Sequence, residues 1–154
     1  MKEIDEKPAG NGLKIAIAVS RFNQPVTRGL LDGCRAALVE NGVEENALTL
    51  VHVPGAWELP LVCDRLAAAG RFDAIIALGC VIRGETAHFD FIAGEAARGL
   101  NRVGLEYKLP VAFGVLTPEN REQALERSDP KQRNKGREVA LAALEMVQIL
   151  RVLD

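Results

Sequence analysis

The chain has 154 residues, of which 48% are hydrophobic and 26% charged, enough apolar material for the core of one domain. Its formal charge of −2 excludes the basic stripe that nucleic-acid binding needs, and no apolar run approaches the ~18 residues of a membrane span. Residues 1–7 are charged and lack the apolar stretch of a secretion signal, so we expect a cytoplasmic protein without nucleic-acid or membrane partners.

Short apolar runs alternate with amphipathic stretches, which is the pattern of an α/β domain with a parallel sheet. In chain order we predict a polar N-terminal arm (1–12), a strand (14–20), a helix (23–41), a strand (48–53), a helix (57–69), a strand (73–79), a helix opened by Gly84-Glu85-Thr86, a strand (110–116), a short helix opened by Thr117-Pro118-Glu119, a polar loop (128–135) and a final helix. Right-handed crossovers then place helices on both faces of the sheet. Residues 13–154 are therefore expected to form one three-layer α/β domain with a four-stranded parallel sheet.

Ligands of open α/β sheets bind beyond the carboxyl ends of the strands, so the loops there are the candidate site. The four loops are 21–24, 54–58, 80–88 and 114–118.

Seven aromatic residues make up the whole aromatic content, and three of them lie in or beside these loops. Phe22 is either a stacking platform for a flat ligand or a residue that folds over a helix end. Trp57 is either a pocket wall or an anchor in a subunit interface, and both roles hold if the pocket lies between subunits. Phe113 is near the end of the fourth strand, whereas Phe89 and Phe91 are interpreted as packing residues.

Polar groups in and near the same loops indicate where an anion could bind and where a proton could be transferred. Backbone N–H groups of residues 84–86 could bind an anion, provided that the Glu85 carboxylate points away from it. His88 is a candidate proton donor and acceptor, although a lone histidine is more often structural, which is our interpretation of His52. Arg127 and Lys135 are either solvated charges or a phosphate clamp.

The three cysteines (Cys34, Cys63 and Cys80) are an odd number without C-x-x-C spacing, which predicts reduced thiols rather than a zinc site or a disulfide framework. Cys80 is interpreted as a packing residue rather than a nucleophile. No metal-ligand cluster and no dinucleotide fingerprint is present, so neither metal-dependent hydrolysis nor dinucleotide redox chemistry is supported.

Taken together, six stretches in register resemble the lumazine synthase family of riboflavin biosynthesis, and the resemblance covers the chain from about Leu13 to the final helix. They are residues 20–23 (Ser-Arg-Phe-Asn), 53–60 (Val-Pro-Gly-Ala-Trp-Glu-Leu-Pro), 77–91 (from Ala77 to Phe91), 113–117 (Phe-Gly-Val-Leu-Thr), 123–127 (Gln-Ala-Leu-Glu-Arg) and 134–136 (Asn-Lys-Gly).

The resemblance implies a flavodoxin-like fold and a transferase without metal or organic cofactor. It would condense 5-amino-6-(D-ribitylamino)uracil with 3,4-dihydroxy-2-butanone 4-phosphate to 6,7-dimethyl-8-ribityllumazine and phosphate. The sites would lie between subunits of a homopentamer. The resemblance leaves open whether pentamers stay free, pair or form an icosahedral shell, and whether the enzyme associates with riboflavin synthase.

The resemblance also assigns roles to residues. His88 matches the proton donor, Glu58 accepts from ribityl hydroxyls, and Phe113 is contributed by the adjacent subunit. The implied pyrimidine and ribityl set is Phe22, Ala56, Trp57, Glu58, Cys80, Val81, Ile82 and Phe113, and the implied phosphate set is Glu85, Thr86, Arg127 and Lys135.

Two other functions compete with this interpretation. A flavin carrier on a similar sheet would place a hydroxyl-rich loop after the first strand, but residues 20–23 have one hydroxyl and an aromatic ring. A shell protein whose role is enclosure would not need Glu58, His88 and Arg127 together.

Overall fold

A four-stranded, wholly parallel sheet in the order β2-β1-β3-β4 organises the computed structural model, which describes residues 1–154. The strands are β1 (Ile15–Ser20), β2 (Leu48–Val53), β3 (Ala74–Cys80) and β4 (Val111–Leu116). The helices are α1 (Gln24–Glu40), α2 (Leu59–Ala68), α3 (His88–Tyr107), α4 (Arg121–Ser128) and α5 (Lys135–Leu153), with single 3₁₀ turns at Glu45–Ala47 and Ala56–Glu58. The predicted α/β class and all four predicted strands are confirmed.

Two apolar clusters, one on each face of the sheet, make the molecule three layers thick. Alternate residues of β1 face opposite clusters: Ile15 and Ile17 pack with α1, α4 and α5, whereas Ala16 and Ala18 pack with α2 and α3. No helix is both long enough and apolar enough to cross a membrane.

The strands are paired so that their carboxyl ends meet at one edge. Ser20 of β1 lies opposite Val53 of β2, and Cys80 of β3 lies opposite Leu116 of β4. The loops that follow all four strands therefore emerge side by side, as the sequence predicts.

Two helix starts differ from prediction. The helix predicted to open at residues 84–86 begins at His88 after a loop, because no side chain caps it earlier. The short helix begins at Arg121 rather than at residues 117–119. Asn120 caps it by accepting from the Gln123 N–H (2.8 Å), while the Gln123 side chain accepts from the Glu119 N–H (2.9 Å).

Helices α1 and α5 approach so closely that glycine is required at their contact. A Cβ at Gly136 would overlap the carbonyl oxygen of Leu30 and lie 3.0 Å from the Cys34 nitrogen. A Cβ at Gly29 would lie 2.8 Å from the carbonyl oxygen of Ser128, at the end of α4. These contacts fix the α4–α5 connection against α1.

Candidate functional site

Hydrogen bonds join the loops that follow β1, β2 and β3 to one another. The Arg21 N–H donates to the Val53 carbonyl (2.8 Å), and the Phe22 N–H donates to the Pro54 carbonyl (3.1 Å). The Asn23 side chain donates to the carbonyl of Cys80 (3.1 Å). We call loops 21–23, 54–58 and 81–87 together the loop surface.

Asn23, which the sequence predicts to be a helix start, also holds two of these loops together. It has a left-handed backbone (φ 63°), which asparagine tolerates better than most residues, and this conformation leads the chain into α1. Its amide then ties the first loop to the end of β3. An asparagine between a strand and a proline-initiated helix is the signal that could have indicated this role.

The loop surface presents two large aromatic side chains to solvent. Phe22 is 73% exposed and Trp57 is 57% exposed. This exposure argues against a Phe22 ring that folds over a helix end, and the stacking platform stays a prediction. Beside Trp57, Ala56 is buried and Glu58 is half-buried, with its carboxylate turned toward Gly55.

The strand-end Cys80 is unsuited to nucleophilic chemistry. Burial raises the pKa of its thiol to about 12, an effect that the charge of Arg121 opposes only in part. The thiolate needed for attack is thus absent near neutral pH, and the interpretation of Cys80 as a packing residue agrees with its burial. Val81 and Ile82, which follow it, are half-buried.

The β3–α3 loop offers free backbone donors beside His88. The N–H groups of residues 84–87, a stretch that includes Glu85, donate to no protein acceptor, and their residues are exposed. Thr86 accepts weakly from the His88 N–H (3.4 Å), and the His88 imidazole is exposed without a hydrogen-bond partner. These amides can receive an anion from solvent, although they lie in a loop rather than in the predicted helix start.

The predictions for His52 of β2 and for Phe89 and Phe91 of α3 can be compared with the exposure of their side chains. His52 lies in the edge strand β2 with an exposed side chain, and its structural role stays a prediction. Phe89 is buried as predicted, but Phe91 is 69% exposed, because it lies on the outer side of the first turn of α3.

A separate cleft of about 600 Å³ lies between β4, α4 and the start of α5. We call it the β4 cleft; it is lined by Phe113, Gly114, Val115, Leu116, Thr117, Pro118, Glu119, Gln123, Arg127, Arg133, Lys135 and Glu138. The predicted residues Phe113, Arg127 and Lys135 are thus brought together.

Only one of the three cations of the β4 cleft is without a carboxylate partner. Arg133 pairs with Glu126 (3.1 Å), and Lys135 pairs with Glu138 (2.8 Å). Arg127 makes no ion pair; its guanidinium donates to the Gln123 carbonyl (3.4 Å). Arg127 is therefore the cation of this cleft whose charge is available to an anionic ligand. Arg133 was not predicted, since its place in the cleft depends on the fold of the α4–α5 connection.

Within one chain the candidate residues form two groups rather than one pocket. None of Phe22, Trp57, Glu58 and His88 lines the β4 cleft. Strand β2, which leads to Trp57, lies at the opposite sheet edge from β4, three strand spacings or about 14 Å away. No three His, Cys, Asp or Glu side chains are grouped as metal ligands would be.

The chain was compared with models of known protein families. A model described as 6,7-dimethyl-8-ribityllumazine synthase matches residues 12–151. The match contains every candidate residue of both groups.

Proposed function

Because the chain belongs to the 6,7-dimethyl-8-ribityllumazine synthase family, transferases of riboflavin biosynthesis, we propose which substrates it joins and with which residues. The reaction is the condensation of 5-amino-6-(D-ribitylamino)uracil with 3,4-dihydroxy-2-butanone 4-phosphate. It yields 6,7-dimethyl-8-ribityllumazine, phosphate and two molecules of water. The observation that carries the proposal is the family match over residues 12–151, which contains both the loop surface and the β4 cleft.

The loop surface takes the pyrimidine and its ribityl chain. The exposed Phe22 ring offers a face on which the flat pyrimidine stacks. Ala56, Trp57 and Glu58 line the ribityl chain, with the Glu58 carboxylate accepting from its hydroxyls. The backbone of residues 80–82 contacts the pyrimidine, so the nature of the Cys80 side chain matters little.

The phosphate is held by neutral donors from the loop surface and by cations from the β4 cleft. The free N–H groups of Glu85 and Thr86 and the Thr86 hydroxyl approach it from the loop surface. The unpaired Arg127 supplies the compensating charge from the β4 cleft, and Lys135 adds a second cation once its pairing with Glu138 yields. Phe113 covers the pyrimidine from the same side.

His88 moves the protons that the condensation requires. The 5-amino group attacks the ketone, and the carbinolamine loses water to form an imine. Phosphate is then eliminated, and ring closure on the ribitylamino nitrogen expels a second water. The exposed imidazole of His88 donates and accepts protons in these steps, while Arg127 stabilises the departing phosphate. The remaining rate acceleration comes from holding the two reactants in the correct relative position.

None of the loop-surface side chains lines the β4 cleft of its own chain, so we propose that the site is completed by a second copy. The loop surface of one protomer then faces the β4 cleft of its neighbour. The exposed aromatic side chains support this arrangement, since Phe113 is 43% exposed in the isolated chain and would be covered in the assembly. A homopentamer, as the family resemblance implies, provides such a repeating contact.

Chromophore formation tests the proposal directly. The purified protein, given both substrates, should form the lumazine absorbance well above the uncatalysed background, and no acceleration would refute the substrate assignment.

A pair of arginine variants tests the phosphate site. Arg127→Ala should lower kcat/KM for the butanone phosphate about 10- to 100-fold, because a charge-assisted contact contributes about 1.5–3 kcal/mol, and should leave the dissociation constant of the pyrimidine unchanged. Arg133→Ala is the control, since Arg133 lines the same cleft but is already paired. Equal losses in the two variants, or equal effects on both substrates, would contradict the role of Arg127.

A further inference from the structure

Arg83 connects the loop surface to the loop that borders the β4 cleft. Its backbone N–H donates to the carbonyl of Pro118 (3.0 Å), and its Nε lies 3.0 Å from a carboxylate oxygen of Glu119. Its guanidinium lies 4.5 Å from the ring centroid of Phe89 and 3.8 Å from the carboxylate of Asp90. One side chain thus touches the β4–α4 loop and the first turn of α3.

These contacts separate Arg83 from the cations that could hold phosphate. Glu119 and Asp90 face it from two sides, and the Phe89 ring covers a face of the guanidinium. Its charge is compensated within the chain, unlike the charge of Arg127. Arg83 is therefore a poor anion ligand, although it lies one residue from the amides that we assign to phosphate.

Two of the residues that Arg83 contacts, Phe89 and Asp90, come immediately after His88 in the chain. His88 is the first residue of α3, and its imidazole has no hydrogen-bond partner that would fix it. No side chain caps the helix before it, and residues 83–88 are all exposed. The position of the imidazole is consequently set by the first helical turn, which is held through Phe89 and Asp90.

We propose that Arg83 is a positioning residue for the transferase reaction: its guanidinium fixes the first turn of α3, and with it His88, against the β4–α4 loop. The inference rests on the proposed function, because it gives Arg83 its effect through the proton transfers of His88. Phe89 is buried and packs against the guanidinium, and the ion pairs with Glu119 and Asp90 hold the guanidinium over the Phe89 ring. Exposed ion pairs of this kind contribute little to global stability, so the effect is local.

The experiment compares Arg83→Met and Arg83→Lys with a matched control, Arg98→Met. Arg98 lies on the same helix and forms an exposed pair with Glu95 (2.6 Å), but contacts neither loop. Two quantities are measured on each protein: the kinetic constants with both substrates, and hydrogen exchange of the backbone amides of residues 84–91.

Arg83→Met should lower kcat about 10- to 100-fold with both KM values within about twofold of wild type, because a misplaced acid–base group slows the chemical steps. Amide exchange in residues 84–91 should become about threefold faster or more, since the turn is released. Arg83→Lys keeps the charge but loses the planar contact with Phe89, so its kcat should lie between those of Arg83→Met and wild type. Arg98→Met should match wild type in both measurements.

Two results would overturn the inference while the proposed function stands. In the first, an active wild type is accompanied by an Arg83→Met variant with unchanged kcat. In the second, the kcat of Arg83→Met falls but its amide exchange is not faster, or its KM for the phosphate substrate is raised. Unchanged exchange would mean that Arg83 does not fix the turn, and a raised KM would make Arg83 a substrate ligand. A wild type that gives no acceleration would overturn the proposed function, and the inference with it.

Discussion

The stability of the fold should be very sensitive to a methyl group added at the contact between α1 and α5. In a Gly136→Ala variant the new Cβ would lie 2.9 Å from the Leu30 carbonyl carbon and 3.0 Å from the Cys34 nitrogen, where ordinary contact begins near 3.4 Å. The Leu30 oxygen is closer still, and all three atoms belong to helix backbone, which cannot rotate away. The two helices must therefore separate.

The magnitude follows from two opposing terms. Overpacking a core costs about 1–3 kcal/mol, and the upper end applies because the obstacle is backbone. Replacing glycine by alanine within a helix returns at most about 1 kcal/mol. We expect Gly136→Ala to lose about 2 kcal/mol of unfolding free energy.

Gly94→Ala is the matched control in α3. Its new Cβ would meet only the flexible end of Arg98, 3.2 Å away, so the variant should gain up to about 1 kcal/mol. Urea unfolding at one fixed protein concentration measures both, and with a slope of about 2 kcal/mol per molar the midpoints should differ by about 1.5 M. A Gly136→Ala midpoint at or above wild type, or equal shifts in the two variants, would refute the close-contact argument.

Two further predictions concern single polar groups. Hydrogen bonds from Gln132 and from the Lys131 N–H hold the pKa of Asp129 below its ordinary value of 3.8, so its carboxylate stabilises the α4–α5 connection above that pH and loses this effect as the pH falls through the folded-state pKa. Asp129→Asn should therefore be less stable than wild type at about pH 7, and the difference should shrink as the pH falls below 3.8; a difference that does not change with pH would contradict the assignment. The Ser20 hydroxyl is buried without a partner, so Ser20→Ala should gain about 1 kcal/mol in urea unfolding. Ser128→Ala, which breaks a bond to the Leu125 carbonyl (3.2 Å), should lose stability instead, and the same sign in both variants would be inconsistent with this reasoning.

The two central strands, β1 and β3, could be predicted because each is buried on both faces and reads as a largely apolar run. Ile15–Ser20 and Ala74–Cys80 are completely buried, and no alternative structure would hide such runs equally well. The start of α4 could not be placed by the same reasoning. Thr117 and Asn120 are both residue types that cap helices. The helix begins after Asn120 because the Gln123 N–H donates to the Asn120 side chain and the Gln123 side chain accepts from the Glu119 N–H.

The role of Arg83 escaped the sequence for a different reason. Its partners Phe89 and Asp90 are near in the chain, but Pro118 and Glu119 belong to another loop that only the pairing of β3 with β4 brings close. Spacing within one segment carries no information on such a contact. The same holds for Arg133, which enters the β4 cleft through the turn between α4 and α5.

Exposure of an aromatic ring is weak evidence of function taken alone, because apolar atoms cover much of any protein surface. The position of the exposed rings is more informative here. Phe22 and Trp57 stand on the loop surface beside amides that lack acceptors, and Phe113 stands in the cleft beside the unpaired Arg127. A small-molecule site buries most of its ligand, which neither open surface does by itself. The two surfaces offer different groups, since the first has the free backbone amides next to His88 and the second has the unpaired Arg127. If two copies meet there as proposed, the scarcity of aromatic residues in the aliphatic core and the exposure of Phe22, Trp57 and Phe113 have one explanation.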